Sequence, residues 1–439
     1  MPVMQQSMLR DAGVVGAGGA GFPTYVKMAG TAEIVLGNGA ECEPLLRVDQ
    51  GLMEHCAGEV ARGLQLAADL VQAPRRLIGL KAKYKRAAAA LEATGAETLG
   101  LPDFYPIGDE HLLVYEMTGR LVPQAGLPLD VGVVTQNIET LVNIARAAEG
   151  RPVIDTYVTV VGEVAQGREV CVPVGMRIRD VIAACGGATV EPFAVVEGGP
   201  MMGFLVDDLD LPVTKTTKGL IVVGGDHPLP LLKRSAAAPS PRALKITQSA
   251  CCQCHICTDL CPRFLLGHAI LPDRSVGNLH MAKGDAQVLE SSALCTQCNL
   301  CGYFACPLRL LPSEVHANVK RMMEQLELPA HKAEKRATVP PPYRDFRRVP
   351  SRRLLQRLWL EQYDRPLVWD EDRYEPADVA VRLLQHVGTP ACPEVRVGDR
   401  VERGDRIAGV PADQLGVPVH ASIDGRVVAV DEVEITIAA

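Results

Sequence analysis

The sequence predicts a multidomain chain of mixed class: an α/β unit, a small α+β unit, a helical cysteine-rich unit and a C-terminal all-β module. Three observations carry this. Short β-branched runs alternate with Ala-rich helical stretches in the first third. Nine of the fourteen cysteines fall within residues 251–306. The last stretch sets short apolar runs between Gly-Asp turns. At 439 residues the chain has room for about three domains, and 47% apolar with 22% charged residues is ordinary globular usage.

Residues 1–150 form the α/β unit. Residues 34–36 are a β-branched run closed by Gly37-Asn38-Gly39, a turn signal. Leu52, Val60, Leu64, Leu66, Ala67 and Leu70 recur at helical spacing over 52–70. Residues 77–80 read as a buried strand, 81–93 as an amphipathic helix and 135–148 as another helix. Residues 151–231 change character. Runs at 155–164 and 170–174 make a hairpin-like pair, 179–184 a helix ended by Gly186-Gly187, and 193–196 a strand before Gly198-Gly199-Pro200. That β-β-α-β order predicts a small α+β domain.

Residues 232–248 read as a linker. Residues 249–328 hold the cysteines, with Ser313 a candidate cap for a helix over 314–328. Residues 329–378 are Pro-rich and basic, with Arg347, Arg348, Arg352, Arg353 and Arg357. They read as a solvated connector that wraps the protein, or alternatively as a docking surface for an acidic partner. Residues 379–439 read as a small sandwich like the biotinyl and lipoyl carriers. They contain no Lys, so a swinging arm would have no point of attachment.

Lys plus Arg total 45 and Asp plus Glu 52, a net charge of −7, which argues against nucleic acid as a partner. Aromatic residues make up only 4%, too few to suggest a base-stacking surface. No run approaches the roughly 18 apolar residues of a membrane span, and MPVMQQSMLRD lacks a signal-peptide core. The expected location is the cytoplasm, with thiols reduced or bound to metal.

The strongest motif is Cys251-x2-Cys254-x2-Cys257-x3-Cys261-Pro262, the spacing of the bacterial ferredoxin run. It recurs as Cys295-x2-Cys298-x2-Cys301-x4-Cys306-Pro307, one residue longer before the last Cys. In two-cluster ferredoxins the fourth Cys ligates the other cluster. Cys251, Cys254, Cys257 and Cys306 are therefore assigned to one [4Fe–4S] cluster, and Cys295, Cys298, Cys301 and Cys261 to the second. Paired zinc sites also use C-x2-C, but four cysteines per run with a closing Cys-Pro, twice, favour the cubanes. Cys252 is left over. His255, His268 and His280 read as ordinary polar residues, because the cysteines already fill both sites.

The second motif is Gly16-Ala-Gly18-Gly19-Ala-Gly21-Phe22-Pro23-Thr24. Taken alone it is either a Gly-rich turn or a phosphate cradle of backbone N–H groups, with Lys27 as a further positive charge. The chain has no G-x4-G-K-[ST], no G-x-S-x-G and no Asp-x-His-x2-Gly. A P-loop ATPase and that type of base-off corrin site are thereby set aside.

With these residues in place, a resemblance emerges. GAGGAGFPT at 16–24 is similar to the flavin loop of the NADH-binding subunit of respiratory complex I and of the C subunit of Rnf electron-transport complexes. The blocks Asn38-Gly-Ala-Glu41-Cys-Glu43-Pro44, Tyr105-Pro-Ile-Gly108-Asp109-Glu110 and Gln136-Asn137-Ile-Glu139-Thr140 match as well. Residues 151–231, with Gly198-Gly-Pro-Met-Met-Gly203, resemble the β-grasp soluble-ligand-binding (SLBB) domain of these families. The C-terminal module resembles the barrel-sandwich found at the N-terminus of the Rnf C subunit. The rearranged order, and Ala305-Cys306-Pro307, resemble the cobalamin-reductase family of the propanediol-utilisation microcompartment.

The resemblance implies FMN contacts from Gly16, Gly18, Gly19, Lys27, Asn38, Glu41, Tyr105, Gly108, Asp109 and Asn137, with Phe22 and Glu43 helping to hold NADH. It departs at Ala17, Ala40 and Gln136, where the complex I protein has Arg, Asp and Asn. The implied activity passes electrons from NADH through FMN and two [4Fe–4S] clusters to cobalamin, from Co(III) or Co(II) towards Co(I), for adenosylcobalamin recycling. The implied partners are an adenosyltransferase and microcompartment shell or enzyme proteins. Two other readings are an electron-input subunit of an Rnf-like membrane-associated complex and a non-enzymatic redox sensor.

Overall fold

The computed structural model describes residues 4–237, 241–277, 286–325 and 334–439. Its first strands are β1 (Ile34–Gly39), β2 (Arg75–Lys81), β3 (Thr98–Leu101), β4 (Phe104–Tyr105) and β5 (Val133–Asn137). All but β4 make a parallel sheet in the order β3-β2-β1-β5. Val35, Leu36, Ile78, Leu80 and Val133 are fully enclosed. The sheet is covered on both faces, so its strands read as continuous apolar runs.

Helices Val48–His55 and Ala57–Leu70 connect β1 to β2, and Ile138–Ala147 follows β5. The stretch read as one helix over 52–70 is thus two, broken at Cys56, whose ψ of 26° leaves the helical region. The helix expected over 135–148 begins only at Ile138. Residues 135–137 are strand, and the Asn137 side chain caps the helix by accepting from Glu139 N–H at 2.9 Å. Lys81 likewise ends β2, and the next helix is Lys85–Ala93. A Cβ at Gly63 would collide with the Leu141 carbonyl, so only glycine lets Ala57–Leu70 and Ile138–Ala147 approach so closely.

The second sheet contains β6 (Asp155–Gly162), β7 (Arg168–Pro173), β8 (Phe193–Glu197), β9 (Phe204–Val206) and β10 (Gly219–Gly224). The connector adds β11 (Val349–Pro350), which pairs with β4, and β12 (Val368–Trp369), which extends this sheet. The order is β12-β7-β6-β10-β8-β9, with β10 parallel to β6. Helix Ile178–Ala184 packs Ile178, Val181 and Ile182 on Val158, Val160, Val170 and Val172. This is the small α+β domain read from the sequence.

Within 334–378 the chain pairs with β4 and with β7, and its basic residues are not all solvated. Arg344 is buried, and Arg344 and Arg348 both pair with Glu116 of helix Glu110–Thr118. Within 232–248, read as a linker, the chain is helical at Pro228–Ala237 and Pro241–Ala250; residues 238–240 lie outside the described residues.

The C-terminal module has β13 (Asp378–Arg382), β14 (Cys392–Pro393), β15 (Arg400–Val401), β16 (Arg406–Gly409), β17 (Val419–His420), β18 (Gly425–Val430) and β19 (Glu434–Ala438). They form a four-stranded sheet β13-β19-β18-β15 and a three-stranded sheet β14-β16-β17. Val379, Val381, Ile407, Val419, Val427, Ile435 and Ile437 fill the space between. Arg403 pairs with Asp155, and Arg177 with Asp378 at 3.1 Å, fixing the module to the second sheet.

Candidate nucleotide and iron–sulfur sites

The order of the first sheet reverses between β1 and β5. At such a switch point the carboxyl ends of parallel strands part into a crevice, the usual ligand site of open α/β sheets. The last register partners there are Asn38 and Asn137. The Asn38 amide donates to the Gly108 carbonyl at 2.9 Å, and the Asn137 amide reaches the Asp49 carboxylate at 2.9 and 3.0 Å. The Gly-rich loop arches over the same end. A Cβ on Gly18 would stand 3.5 Å from Asn137. The loop is closed by Gly16 N–H to Phe22 O at 2.9 Å, and Ala17 N–H is held by Thr140 Oγ1 at 2.9 Å. Gly19, at φ +108°, has open space beside it. Small residues, backbone N–H groups and two strand-end amides around one crevice fit a nucleotide bearing a phosphate.

The crevice floor is charged. Glu41, Asp49 and Glu139 gather near Lys218, which is ion-paired to Glu139. Burial raises all three carboxyls, against the pull of Lys218. Asp49 and Lys218 escape a reading of the sequence, since neither lies in a motif. Lys27 does not project a free charge: it bonds Glu110 at 2.5 Å and Thr135 at 3.2 Å. Of the three departures, Gln136 points the opposite way from Asn137 and donates to Met28 Sδ at 3.0 Å inside the core. Phe22 lies half-exposed at the outer end of the loop.

Three of the expected nucleotide residues reach out of the crevice. Glu43 extends to the second domain, where its carboxylate accepts from Met201 N–H and Met202 N–H, each at 2.9 Å. Gly199 leaves it room, since a Cβ there would strike the Glu43 carboxylate. Burial pushes Glu43 up to about 7, opposed by Lys233 and the two N–H donors. Lys233 donates to the Met201 carbonyl at 3.0 Å, and so does Asn299 at 2.9 Å. Tyr105 is buried and its hydroxyl donates to the Cys298 carbonyl at 2.8 Å. Asp109 caps helix Glu110–Thr118 and pairs with Arg263 at 2.8 Å. Burial works against its charge, but Arg263 outweighs it and holds the carboxyl below the usual range. Arg263 stands two residues after Cys261.

Both cysteine runs adopt the same loop. Gln253 and His255 have positive φ in the first, and Gln297 and Asn299 at the matching positions in the second. Residues 251–257 and 295–301 therefore turn the same way. The runs then diverge. Ile256–Asp259 is one α turn, whereas Leu300–Ala305 is a wide π turn, which absorbs the extra residue before Cys306.

The pairing of the last cysteines is crosswise. Cys257 interacts electrostatically with Cys254 and Cys306, while Cys298 interacts with Cys261 and Cys295. Cys301 feels its own set and Cys257, so the two sets are neighbours. One cavity is lined by Cys251, Cys252, Cys254, Cys257 and Cys306. Among the described residues no three His, Cys, Asp or Glu converge closely enough to share one metal ion. Burial pushes the Cys257 and Cys261 thiols up to about 12. Thiolates there need a cationic group among them, and N–H donors such as Gln297 to Cys295 Sγ at 3.4 Å already point at sulfur.

His255 pairs with Asp273, and His268 is buried; His280 lies outside the described residues. Ser313 is not a cap. It sits within helix Pro312–Gln325 with its hydroxyl buried and unpartnered, and residues 326–328 lie outside the described residues.

Family models match along the chain: the Nuo51 FMN-binding domain at 9–146, the SLBB domain at 157–205, the 4Fe-4S dicluster domain at 250–310 and the RnfC barrel sandwich hybrid domain at 371–439. An FMN-type domain joined to an iron–sulfur domain defines an oxidoreductase of the flavin and iron–sulfur class. The chain is 44% identical to cobalamin reductase PduS of Salmonella typhimurium, over 98% of this chain and 95% of that protein. It is 42% identical to cobalamin reductase PduS of Citrobacter freundii over the same shares. It therefore belongs to the PduS family. It is also 35% identical to the C component of the proton-translocating ferredoxin:NAD(+) oxidoreductase complex of Clostridium ljungdahlii, over 59% of this chain and 55% of that one. No helix among the described residues is long and apolar enough to cross a membrane.

Proposed function

We propose that this chain is an NADH-dependent cobalamin reductase that holds FMN at the β1/β5 crevice and two [4Fe–4S] clusters between its crosswise cysteine sets. The observation that carries the reading is the junction at Tyr105, whose hydroxyl meets the Cys298 carbonyl at 2.8 Å. That contact supports a path from the nucleotide crevice to the cysteine set that includes Cys298. FMN, when bound, accepts a hydride and gives up electrons singly, which matches a two-electron donor to one-electron centres. The net reaction is NADH plus two Co(II) corrinoids giving NAD+, a proton and two Co(I) corrinoids.

Gly16, Gly18, Gly19, Asn38, Glu41, Gly108 and Asn137 line or support the FMN crevice. Lys27, paired with Glu110, orders its rim, and half-exposed Phe22 would help to hold the nicotinamide cofactor. Glu43, Tyr105 and Asp109 hold that crevice to the neighbouring domains. Cys252 and Cys254 are exposed, so the set with Cys251, Cys254, Cys257 and Cys306 faces the corrinoid. An adenosyltransferase would take up the Co(I) product, and microcompartment enclosure in the cytoplasm follows from the family.

The test is anaerobic reconstitution with iron, sulfide and FMN, then NADH and cob(II)alamin with a Co(I) trap. Flavin- and cluster-dependent Co(I) formation is expected. Bleaching of flavin and clusters without Co(I) would refute the corrinoid as acceptor.

A further inference from the structure

The lysine-free C-terminal module packs onto the segment that forms the Gly-rich loop. Val387 N–H donates to the Gly21 carbonyl at 3.0 Å. Arg10 donates to the carbonyls of Pro411 at 2.7 Å and Val410 at 3.2 Å. A Cβ on Gly21, at φ +65°, would stand 3.1 Å from His386 Cα, so glycine is what admits the module here.

Lys215, from the turn before β10, enters from the other side. It is buried, and its Nζ donates to the Gly13 carbonyl at 2.8 Å. Its backbone N–H donates to Gln385 Oε1 at 3.1 Å, so the same residue touches loop and module. The ionisable groups facing it are His386 and His420, both kept neutral by burial. Among the described residues no carboxylate is ion-paired with it. With no counter-charge beside it, burial lowers the Lys215 amine to about 7, and an anion within reach would favour its ammonium form.

We propose that the C-terminal module and Lys215 clamp residues 10–21 in the shape that takes a phosphate-bearing nucleotide, with Lys215 supplying positive charge behind the loop. This rests on the flavin reading above. It gives the carrier-like module a task that needs no lysine of its own.

The test titrates the full-length apoprotein with FMN, and in parallel with riboflavin, by quenching of flavin fluorescence. Lys215→Met keeps the side-chain length and removes the buried amine but leaves the buried Gly13 carbonyl without its donor, so the two effects on the melting temperature oppose each other and it changes little. Its FMN affinity nevertheless falls about tenfold while riboflavin affinity is unchanged. Arg10→Met, which loosens the module without touching Lys215, weakens FMN about threefold. Unchanged FMN affinity in either variant, or an equal loss of riboflavin in Lys215→Met, overturns the proposal. A wild-type chain that binds no FMN overturns the flavin reading itself.

Discussion

The two cysteine runs share one loop conformation and differ in what covers them. Cys261 and Cys301 are buried, Cys295 and Cys298 are half-buried, and the Cys298 carbonyl lies beneath Tyr105. In the other set Cys254 is at the surface, with Cys252 beside it. Local spacing sets the loop, since both runs place positive φ at the same two positions. Long-range contacts set its surroundings: Tyr105 and Cys298 are 193 residues apart, and Glu43 and Met201 are 158 apart. Two copies of one motif thus come to lie in different surroundings, one run joined to Tyr105 and the other with a cysteine at the surface.

The sharpest way to break this comparison is to remove one ligand from each set. Cys298→Ser and Cys254→Ser should each lower bound iron from about eight to about four per chain. Cys298→Ser should also destabilise the nucleotide domain, because Tyr105 depends on that loop, whereas Cys254→Ser should not. Iron assay with thermal melting separates them, and equal destabilisation would erase the distinction. Cys252→Ser should keep full iron.

A smaller effect is expected from Tyr105→Phe. It strands a buried carbonyl at Cys298 and should cost about 1–3 kcal/mol, read by chemical denaturation. Iron and flavin contents should be retained, and a midpoint-potential shift confined to one of two clusters would assign that cluster to the set with Cys298.

The pH effect is smaller still. Asp109 is held below the usual carboxylate range in the folded state. Its contribution to stability is full above the unfolded value of about 4 and is lost as pH falls through the lowered folded value. Arg263→Met removes the attraction that outweighs burial, so the folded value rises. Stability near neutral pH should then drop and its acid dependence flatten. An unchanged stability–pH profile would show that the ion pair does not fasten the two units.

The mildest probe leaves the protein intact. In the apoprotein, alkylation by iodoacetamide followed by peptide mapping should label Cys252 and Cys254 well before Cys261 and Cys301, which are buried. Uniform labelling would place both sets at the surface.

How much of this could be read in the sequence follows from the same contrast. The two cysteine runs and their shared loop were legible, because spacing within a short loop governs them; the division of the eight cysteines between two clusters remains part of the proposal. The crevice residues Asn38 and Asn137 were legible through family blocks, and strand register then joined them. The strand at 135–137 was not, because Thr135 and Asn137 are polar for the sake of Glu110 and Asp49. Their polarity hid the β pattern and made the stretch look like the front of a helix. Lys215 and Lys233 were equally hidden, since a buried lysine carries no local signature. The roles of Glu43 and Asp109 as interdomain anchors depend on partners from other domains, which no linear motif records.

The most direct test of the central claim is stopped-flow reduction of the reconstituted protein by NADH, comparing Cys298→Ser with Cys254→Ser. The set with Cys298 is the one joined to Tyr105, so Cys254→Ser should still bleach its remaining cluster at the wild-type rate while failing to yield Co(I). Cys298→Ser should reduce its flavin and leave its remaining cluster oxidised on that timescale. Rapid reduction of the remaining cluster in Cys298→Ser would contradict the account.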